Sequence, residues 1–262
     1  VKVTFRHFGE NLASSRYRAL IPQRQLQCLG IDKGYDWLVI GKHGWNWTRE
    51  AEGFKRVCFD VCDDHFSDQY AKHYMAGIER ADLVTCNSEE MRRVIMDQTG
   101  VDAVVIPDPY EQYECEPRLS DKLLWFGHAS NLCDLAPWLE HLPEVEVVTN
   151  LRNVGGVTEW TPGNMEAAFT RAGLVIIPTG KSMAKSANRA IESIRRGLFV
   201  VAGYLPAYSD LGIYVGNIAD GVKWALTHER EVLRRISNAQ RYVAQEYSPA
   251  RIGELWLKAL SS

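Results

Sequence analysis

The sequence predicts an α/β protein built on parallel sheets, and three observations carry that expectation. Short apolar runs rich in β-branched residues alternate along the chain with longer stretches of helical periodicity. One pair of runs, Leu174-Val175-Ile176-Ile177 and Leu198-Phe199-Val200-Val201-Ala202, has the length and composition of strands buried on both faces. Between them, Ala187, Ile191 and Ile194 recur on one helical face, while Lys185, Asn188 and Glu192 share another. Two such strands joined by a crossover helix pair in parallel. Ser186 is the expected N-cap of that helix and Gly197 its stop signal.

The same alternation organises the rest of the chain. In the first half, Val1–Phe5, Trp37–Gly41, Val57–Cys62, Leu83–Cys86 and Ala103–Ile106 read as strands. Ala13–Leu29, Tyr70–Arg80 and Glu89–Gln98 read as helices, with Gly30 and Gly100 as stops and Ser88 as a cap. Pro107-Asp108-Pro109 and the polar stretch after it mark a linker. The second half gives strands Leu123–Gly127 and Val145–Thr149, helices Leu132–His141 and Met165–Ala172, and then the strand–helix–strand unit described above. Three helices follow, Ile218–Thr227, Glu231–Gln245 and Pro249–Leu260. The expected architecture is therefore two Rossmann-like, doubly wound domains, 1–113 with 247–262 and 114–246.

Bulk properties narrow the function classes. The 262 residues suffice for two cored domains, and the formal charge of −3 gives no overall attraction to nucleic acid or anionic lipid. Cys28, Cys58, Cys62, Cys86, Cys115 and Cys133 lack CxxC spacing, as expected of free thiols in a reducing compartment. With no signal-like or membrane-length apolar segment in the sequence, a cytoplasmic protein without a membrane span is expected.

The candidate chemistry lies in loops that follow strands, where ligands bind in such folds. Lys185 and Asn188 at a helix mouth suit a phosphate, and Glu192 two turns on suits a sugar hydroxyl, so a nucleotide or nucleotide sugar is the expected ligand. Gly127-His128-Ala129-Ser130-Asn131 is a strand-to-helix loop whose glycine permits close backbone approach and whose Ser130 and Asn131 offer capping side chains. Gly180-Lys181-Ser182 is not a Walker A loop, because Val175 stands where the first glycine belongs. In the first half, Gly9-Glu10-Asn11 with Ser14, Ser15, Arg16 and Arg18 forms a polar and cationic entry to a helix, suited to an acceptor or to donor phosphates. Asp63, Asp64 and His65 cluster at a strand's carboxyl end and suit proton transfer, acceptor orientation or, as a weaker reading, metal ligation. Lys42-His43-Gly44-Trp45-Asn46-Trp47 supplies aromatic rings that could stack on a sugar or base.

Taken in order, Ala13-Ser-Ser-Arg-Tyr-Arg18, Ala81-Asp-Leu-Val-Thr-Cys-Asn-Ser88, Val105-Ile-Pro-Asp-Pro-Tyr-Glu111, Leu124-Trp-Phe-Gly127 and Lys185-Ser-Ala-Asn-Arg-Ala-Ile-Glu192 resemble the signature of GT-B glycosyltransferases, especially the retaining family 4 group. The resemblance covers most of the chain. It implies two Rossmann-like domains facing a cleft, with a last helix crossing back to the first domain. It further implies that Glu192 binds the ribose, that Lys185 and the Ser186 and Ala187 amides hold the diphosphate, and that Asn188, Arg189, Gly127, His128, Asn131 and Trp160 complete the donor site. Asp63, Asp64 and His65 would then orient the acceptor, with His65 or Asp63 as base if the transfer inverts. The family often carries a second glutamate eight positions before Glu192, where this chain has Ala184, with Lys181 and Lys185 close by.

The expected function is transfer of a sugar from a nucleoside-diphosphate sugar, a UDP-sugar first, to a hydroxyl acceptor, with retention and with no cofactor or metal required. The acceptor is a glycan, a small molecule or a modified DNA base. Three rival readings are a phage-type DNA glycosyltransferase acting on a hydroxymethylated base, a sugar-nucleotide epimerase and a non-catalytic nucleotide-sugar sensor.

Overall fold

Every strand pairing among the described residues is parallel, so each strand is followed by a helix or a long connection that returns the chain to the same end of its sheet. The computed structural model describes residues 1–10, 12–41, 47–180 and 182–262, without the side chains of residues 47 and 48. The chain divides into two units, 1–111 with 184–186 and 246–262, and 112–183 with 187–245. Among the described residues no helix is long and apolar enough to cross a membrane.

The first unit begins with β1 (Val3–Phe5), α1 (Ala13–Ser15), a π-helical turn at Arg16–Leu20, α2 (Ile21–Cys28), β2 (Trp37–Gly41) and α3 (Trp47–Glu50). It continues through β3 (Arg56–Val61), α4 (Ala71–Arg80), β4 (Leu83–Cys86), α5 (Glu89–Thr99) and β5 (Val104–Val105), with sheet order β1-β2-β3-β4-β5. Strand alternation divides the core into two layers. Trp37 and Val39 of β2 pack with Phe5 and Leu26, whereas Leu38 and Ile40 pack with Phe59, Tyr74, Ile78 and Met91. Both faces are covered, which is why β2 is a continuous apolar run. The expected single helix Ala13–Leu29 is interrupted. Pro22 has no N–H to offer the Arg18 carbonyl and its ring crowds that carbonyl, so the backbone opens into the π turn just before it. The cap expected at Ser88 forms, its side chain accepting from Met91 N, and Gly100 ends α5 at φ +73°.

The second unit runs β6 (Leu123–Gly127), α6 (Leu132–Leu135), β7 (Val145–Thr149), β8 (Thr158–Glu159), α7 (Pro162–Arg171) and β9 (Leu174–Ile177). It continues with α8 (Asn188–Arg195), β10 (Phe199–Ala202), β11 (Tyr214–Val215), α9 (Ile218–Thr227) and α10 (Glu229–Glu246). The helix expected at Leu132–His141 is α-helical only through Leu135, and Pro137 then turns it into a 3-10 segment, Ala136–His141. The helix that carries the candidate site starts at Asn188, with Ala187 as N-cap and no side-chain cap. Ser186 is therefore not the N-cap. Gly197 stands just beyond the end of α8 at φ +70°, as the stop signal required.

The sheet order β11-β10-β9-β6-β7-β8 positions the site. The strands advance one way from β6 and the other way from β9. The reversal between β6 and β9 leaves a crevice outside their carboxyl ends, the place where such sheets bind ligands. The last helix, α11 (Pro249–Leu260), belongs to the first unit. There Ile252 and Trp256 fill the layer containing Phe5 and Trp37, and Gly253 allows close approach to Gln25, whose Cβ would lie 2.6 Å from any added Cβ.

Candidate functional site

The loops after β6 and β9 supply the first set of groups. Gly127 ends β6, and a side chain there would meet the Arg189 guanidinium at 3.2 Å and the Trp125 ring at 3.4 Å. Arg189, at the second position of α8, donates from Nη1 to the Phe126 carbonyl at 3.2 Å, and among the described residues it forms no ion pair. Burial lowers its proton affinity, opposed by the electrostatic influence of Tyr208 and Asp134. A partly buried guanidinium beside a glycine, at the start of a helix and without a bonded carboxylate among the described residues, has the charge and shape that suit an anion. Asp134 closes the other side, its carboxylate 2.7 Å from where a Gly180 Cβ would stand. Tyr208 is buried beside Arg189, and exposed Tyr204 follows β10. Asp134, Tyr204 and Tyr208 were not singled out in the sequence, because α6 and the loop after β10 carry no motif.

His128 is exposed and caps the short 3-10 turn Ala129–Asn131 through Nδ1, which accepts from Ser130 N, while its Nε2 lies 3.3 Å from Asn150 Nδ2. The capping expected of Ser130 and Asn131 is thus made by His128, and Asn131 makes no side-chain cap bond to α6. Trp160 is partly buried just after β8, its backbone N–H donating to the Thr149 carbonyl at 2.6 Å.

Glu192, expected to bind the ribose, is buried and engaged with the backbone. It is 4% exposed, and its Oε2 accepts the backbone N–H of Gln112 at 2.9 Å. The residues before α8 part company in the same way. Lys185 and Asn188 are partly buried, Ala187 is buried, and the Ser186 hydroxyl donates to Asp108 Oδ2 at 2.5 Å. Ala184 is buried against Ile40, Val61 and Cys86 in the first unit's core. A glutamate there would place a carboxylate in an apolar cluster, so alanine suits the position. Lys181, and Lys42 to Asn46 of the tryptophan-bearing loop, lie outside the described residues, as does the side chain of Trp47.

In the first unit the candidate residues separate sharply. Arg18 is not available to a phosphate. It is 6% exposed, makes two bonds to Asp60 at 2.9 and 2.6 Å, and reaches Asp108 Oδ1 at 3.1 Å. The two aspartates raise its already high proton affinity against the opposing effect of burial. Ser15 is also buried, accepting from Phe8 N, and Arg16 pairs with Glu111 at 2.7 Å. Ser14 remains at a small pocket with Arg6, Phe8, Gly41 and Cys62. Asn11 lies outside the described residues.

Asp63, Asp64 and His65 follow β3 but do not converge. His65 Nδ1 lies 2.5 Å from Asp68 Oδ2, Asp64 is exposed and accepts from Phe66 N, and Asp63 is partly buried beside Cys62. Among the described residues no group of three or more His, Cys, Asp or Glu side chains gathers at a metal-sized site. Two buried polar atoms near this strand end lack a hydrogen-bond partner, Tyr74 OH and Asn87 Oδ1, while Asn87 Nδ2 donates to the Cys62 carbonyl. Neither residue stood out in the sequence, since a tyrosine on an apolar helix face and an asparagine after a strand are ordinary.

No protein-family model matches the chain, and no curated protein is similar to it at a significant level. The fold does have solved counterparts. A structure of Anabaena HepE in complex with UDP-glucose superimposes with TM-score 0.71 at 15% identity, covering 99% of this chain and 98% of that one. T4 phage BGT in complex with its UDP-glucose substrate gives TM-score 0.64 at 12% identity, with 100% of both chains covered. An alpha-glucosyltransferase with UDP and a 13-mer DNA containing an HMU base gives 0.62 at 11%, covering 93% of this chain and 85% of that one. The chain spans 55% of TarM, matched at TM-score 0.61 and 14% identity. The two-unit α/β architecture is the GT-B fold.

Proposed function

We propose that the protein is a glycosyltransferase that moves a sugar from a nucleoside-diphosphate sugar, a UDP-sugar first, to a hydroxyl acceptor. Arg189 is the observation that carries this reading. Among the described residues this guanidinium forms no ion pair, and at the β6/β9 reversal an anionic ligand would complete its bonding. A diphosphate meets that requirement, and solved proteins of this fold hold UDP or UDP-glucose. In the proposed roles Lys185 and the amides at the start of α8 share the diphosphate with Arg189. Glu192 accepts from the ribose, and Trp160 lies against the base. Gly127, His128, Asn131 and Asn188 border the donor.

In the reaction, the bond from the sugar's anomeric carbon to the diphosphate oxygen breaks while the acceptor oxygen bonds to that carbon. The charge that develops on the leaving diphosphate falls on Arg189 and Lys185, which stabilises the transition state. In a retaining transfer a diphosphate oxygen takes the acceptor's proton. Asp63, with Ser14 and the polar groups near Cys62, orients the acceptor on the first unit, and Asp64 and His65 border it.

A modified DNA base is the second reading for the acceptor, favoured by the likeness to an alpha-glucosyltransferase solved with UDP and a 13-mer DNA containing an HMU base. Against it, Arg16, Arg18 and Lys55 of the basic first half are already held by Glu111, Asp60 and Asp36. Duplex DNA binding that weakens steeply with salt would support this acceptor, and its absence would remove it. The parent reading is tested by thermal shift over UDP-, GDP-, ADP- and CMP-sugars. A donor at about a hundred times its Kd stabilises by about 2.7 kcal/mol, which in a chain of this size is about 5–10 °C. A flat response to all of them would count against any nucleotide-sugar function.

A further inference from the structure

The segment that leads into α8 is tied to the first unit by a buried chain of polar groups. Thr85 Oγ1 of β4 donates to Asp60 Oδ1 at 2.7 Å, and Asp60 of β3 accepts from Nε and Nη2 along one edge of the Arg18 guanidinium. Arg18 Nη1 reaches the Ile106 carbonyl and Asp108 Oδ1. The second oxygen of Asp108 accepts the Ser186 hydroxyl at 2.5 Å. Asp108 is 5% exposed and lies between Pro107 and Pro109, whose rings fix the backbone on either side of it. Its carboxylate is therefore held by three independent constraints before any ligand arrives. Ala184–Ser186 fold with the first unit, while the residues on either side belong to the second.

This arrangement has a stability cost that needs a reason. One guanidinium faces two buried carboxylates, so Asp108 is retained although Asp60 alone would neutralise Arg18. What Asp108 adds is its bond to Ser186. Ser186 adjoins Lys185 in the same segment of the first unit, and a cation that serves a ligand gains from fixed placement.

We propose that Asp108 is a positioning residue for donor binding: through Ser186 it holds the Ala184–Ser186 segment of the first unit so that Lys185 meets the diphosphate pre-arranged. This rests on the donor site proposed above. Asp108 itself touches no substrate and performs no chemistry.

The test has one arm that needs no ligand. Hydrogen exchange of the peptide covering residues 183–189 is compared between wild type, Ser186→Ala, Ser186→Thr and Asp108→Ala. A charge-assisted hydrogen bond of about 1.4 kcal/mol corresponds to a tenfold change in opening. Exchange is expected to accelerate about tenfold in S186A and D108A and to return towards wild type in S186T, which keeps the hydroxyl. D108A retains the neutral Arg18–Asp60 pair, so the fold survives, and S186A gives the same reading if it does not. The second arm is turnover of UDP-glucose. KM is expected to rise about five- to tenfold in D108A with kcat little changed, because a looser segment weakens capture of the donor and leaves the chemistry intact. Unchanged exchange in both S186A and D108A would overturn the positioning role, whatever the ligand. Tenfold faster exchange without any UDP-glucose binding by wild type would preserve the tether and remove the donor reading instead.

Discussion

Replacing Arg189 with methionine separates a binding cation from a structural one. The side chain donates to the Phe126 carbonyl at 3.2 Å, and its charge is carried in a partly buried position that lowers its proton affinity. Methionine keeps most of the apolar stem and discards a charge that has no bonded counter-ion. The ligand-free protein is therefore expected to hold its stability or gain up to about 1 kcal/mol, since an unpaired buried charge costs more than it returns. UDP binding should fall steeply. One or two charge-assisted bonds to a diphosphate are each worth about 1.5–3 kcal/mol, or about 10- to 150-fold in Kd per bond. Calorimetric titration with UDP and urea unfolding of the same preparations give both numbers. Wild-type affinity in R189M would refute the reasoning. So would a stability loss above about 2 kcal/mol, which would make Arg189 a scaffold residue.

Arg18→Met is expected to act oppositely, costing about 3–5 kcal/mol in urea unfolding because Asp60 and Asp108 are left buried without their cation. Glu192→Gln is expected to narrow the preference for UDP over its 2′-deoxy analogue by about tenfold in titrations, since a carboxylate that accepts a ribose hydroxyl is lost. Gly197→Ala should cost about 2 kcal/mol or more, because φ is +70° and the added Cβ would stand 2.2 Å from the Glu116 carbonyl oxygen. The surface pair of Asp102 with Arg92 sets an acid dependence. Its hydrogen bond to Arg92 holds the Asp102 carboxyl below its ordinary value, so the pair stabilises above about pH 3.9 and the contribution fades as pH falls through the lowered folded value. Asp102→Asn should therefore lower Tm at pH 7, and the gap to wild type should close as pH falls through the lowered folded value.

What was legible in the sequence depended on how local its cause is. The strand–helix–strand unit from Leu174 to Ala202 showed itself through two β-branched runs and a glycine past the helix, all within 29 residues. The Ser88 cap and the Gly100 stop were legible for the same reason. The strands β8 and β11, two residues each, carry no periodic signal and exist through pairing with β7 and β10. Pro22 and Pro137 were visible but outweighed by the apolar periodicity around them, and each broke its helix.

Site residues divide along the same line. Arg18 reads as a surface cation because its partners Asp60 and Asp108 stand 42 and 90 residues away, and only the fold brings them together. Glu192 was placed on the right helix, but its contact with Gln112 crosses 80 residues and was not legible. Arg189 was named with the donor group but not set apart from it. Its importance rests on what it lacks, a bonded counter-charge, and that is a property of three-dimensional surroundings.

The central claim is that bound UDP-sugar is cleaved at its anomeric carbon. UDP-glucose labelled with 13C at that carbon, incubated with the protein and a panel of hydroxyl acceptors, follows the bond directly by NMR. The expected result is loss of the donor anomeric signal with stoichiometric UDP, and growth of a glycoside signal, or of free glucose where no acceptor serves. A donor signal unchanged after many hours, with R189M and wild type indistinguishable, would contradict the account.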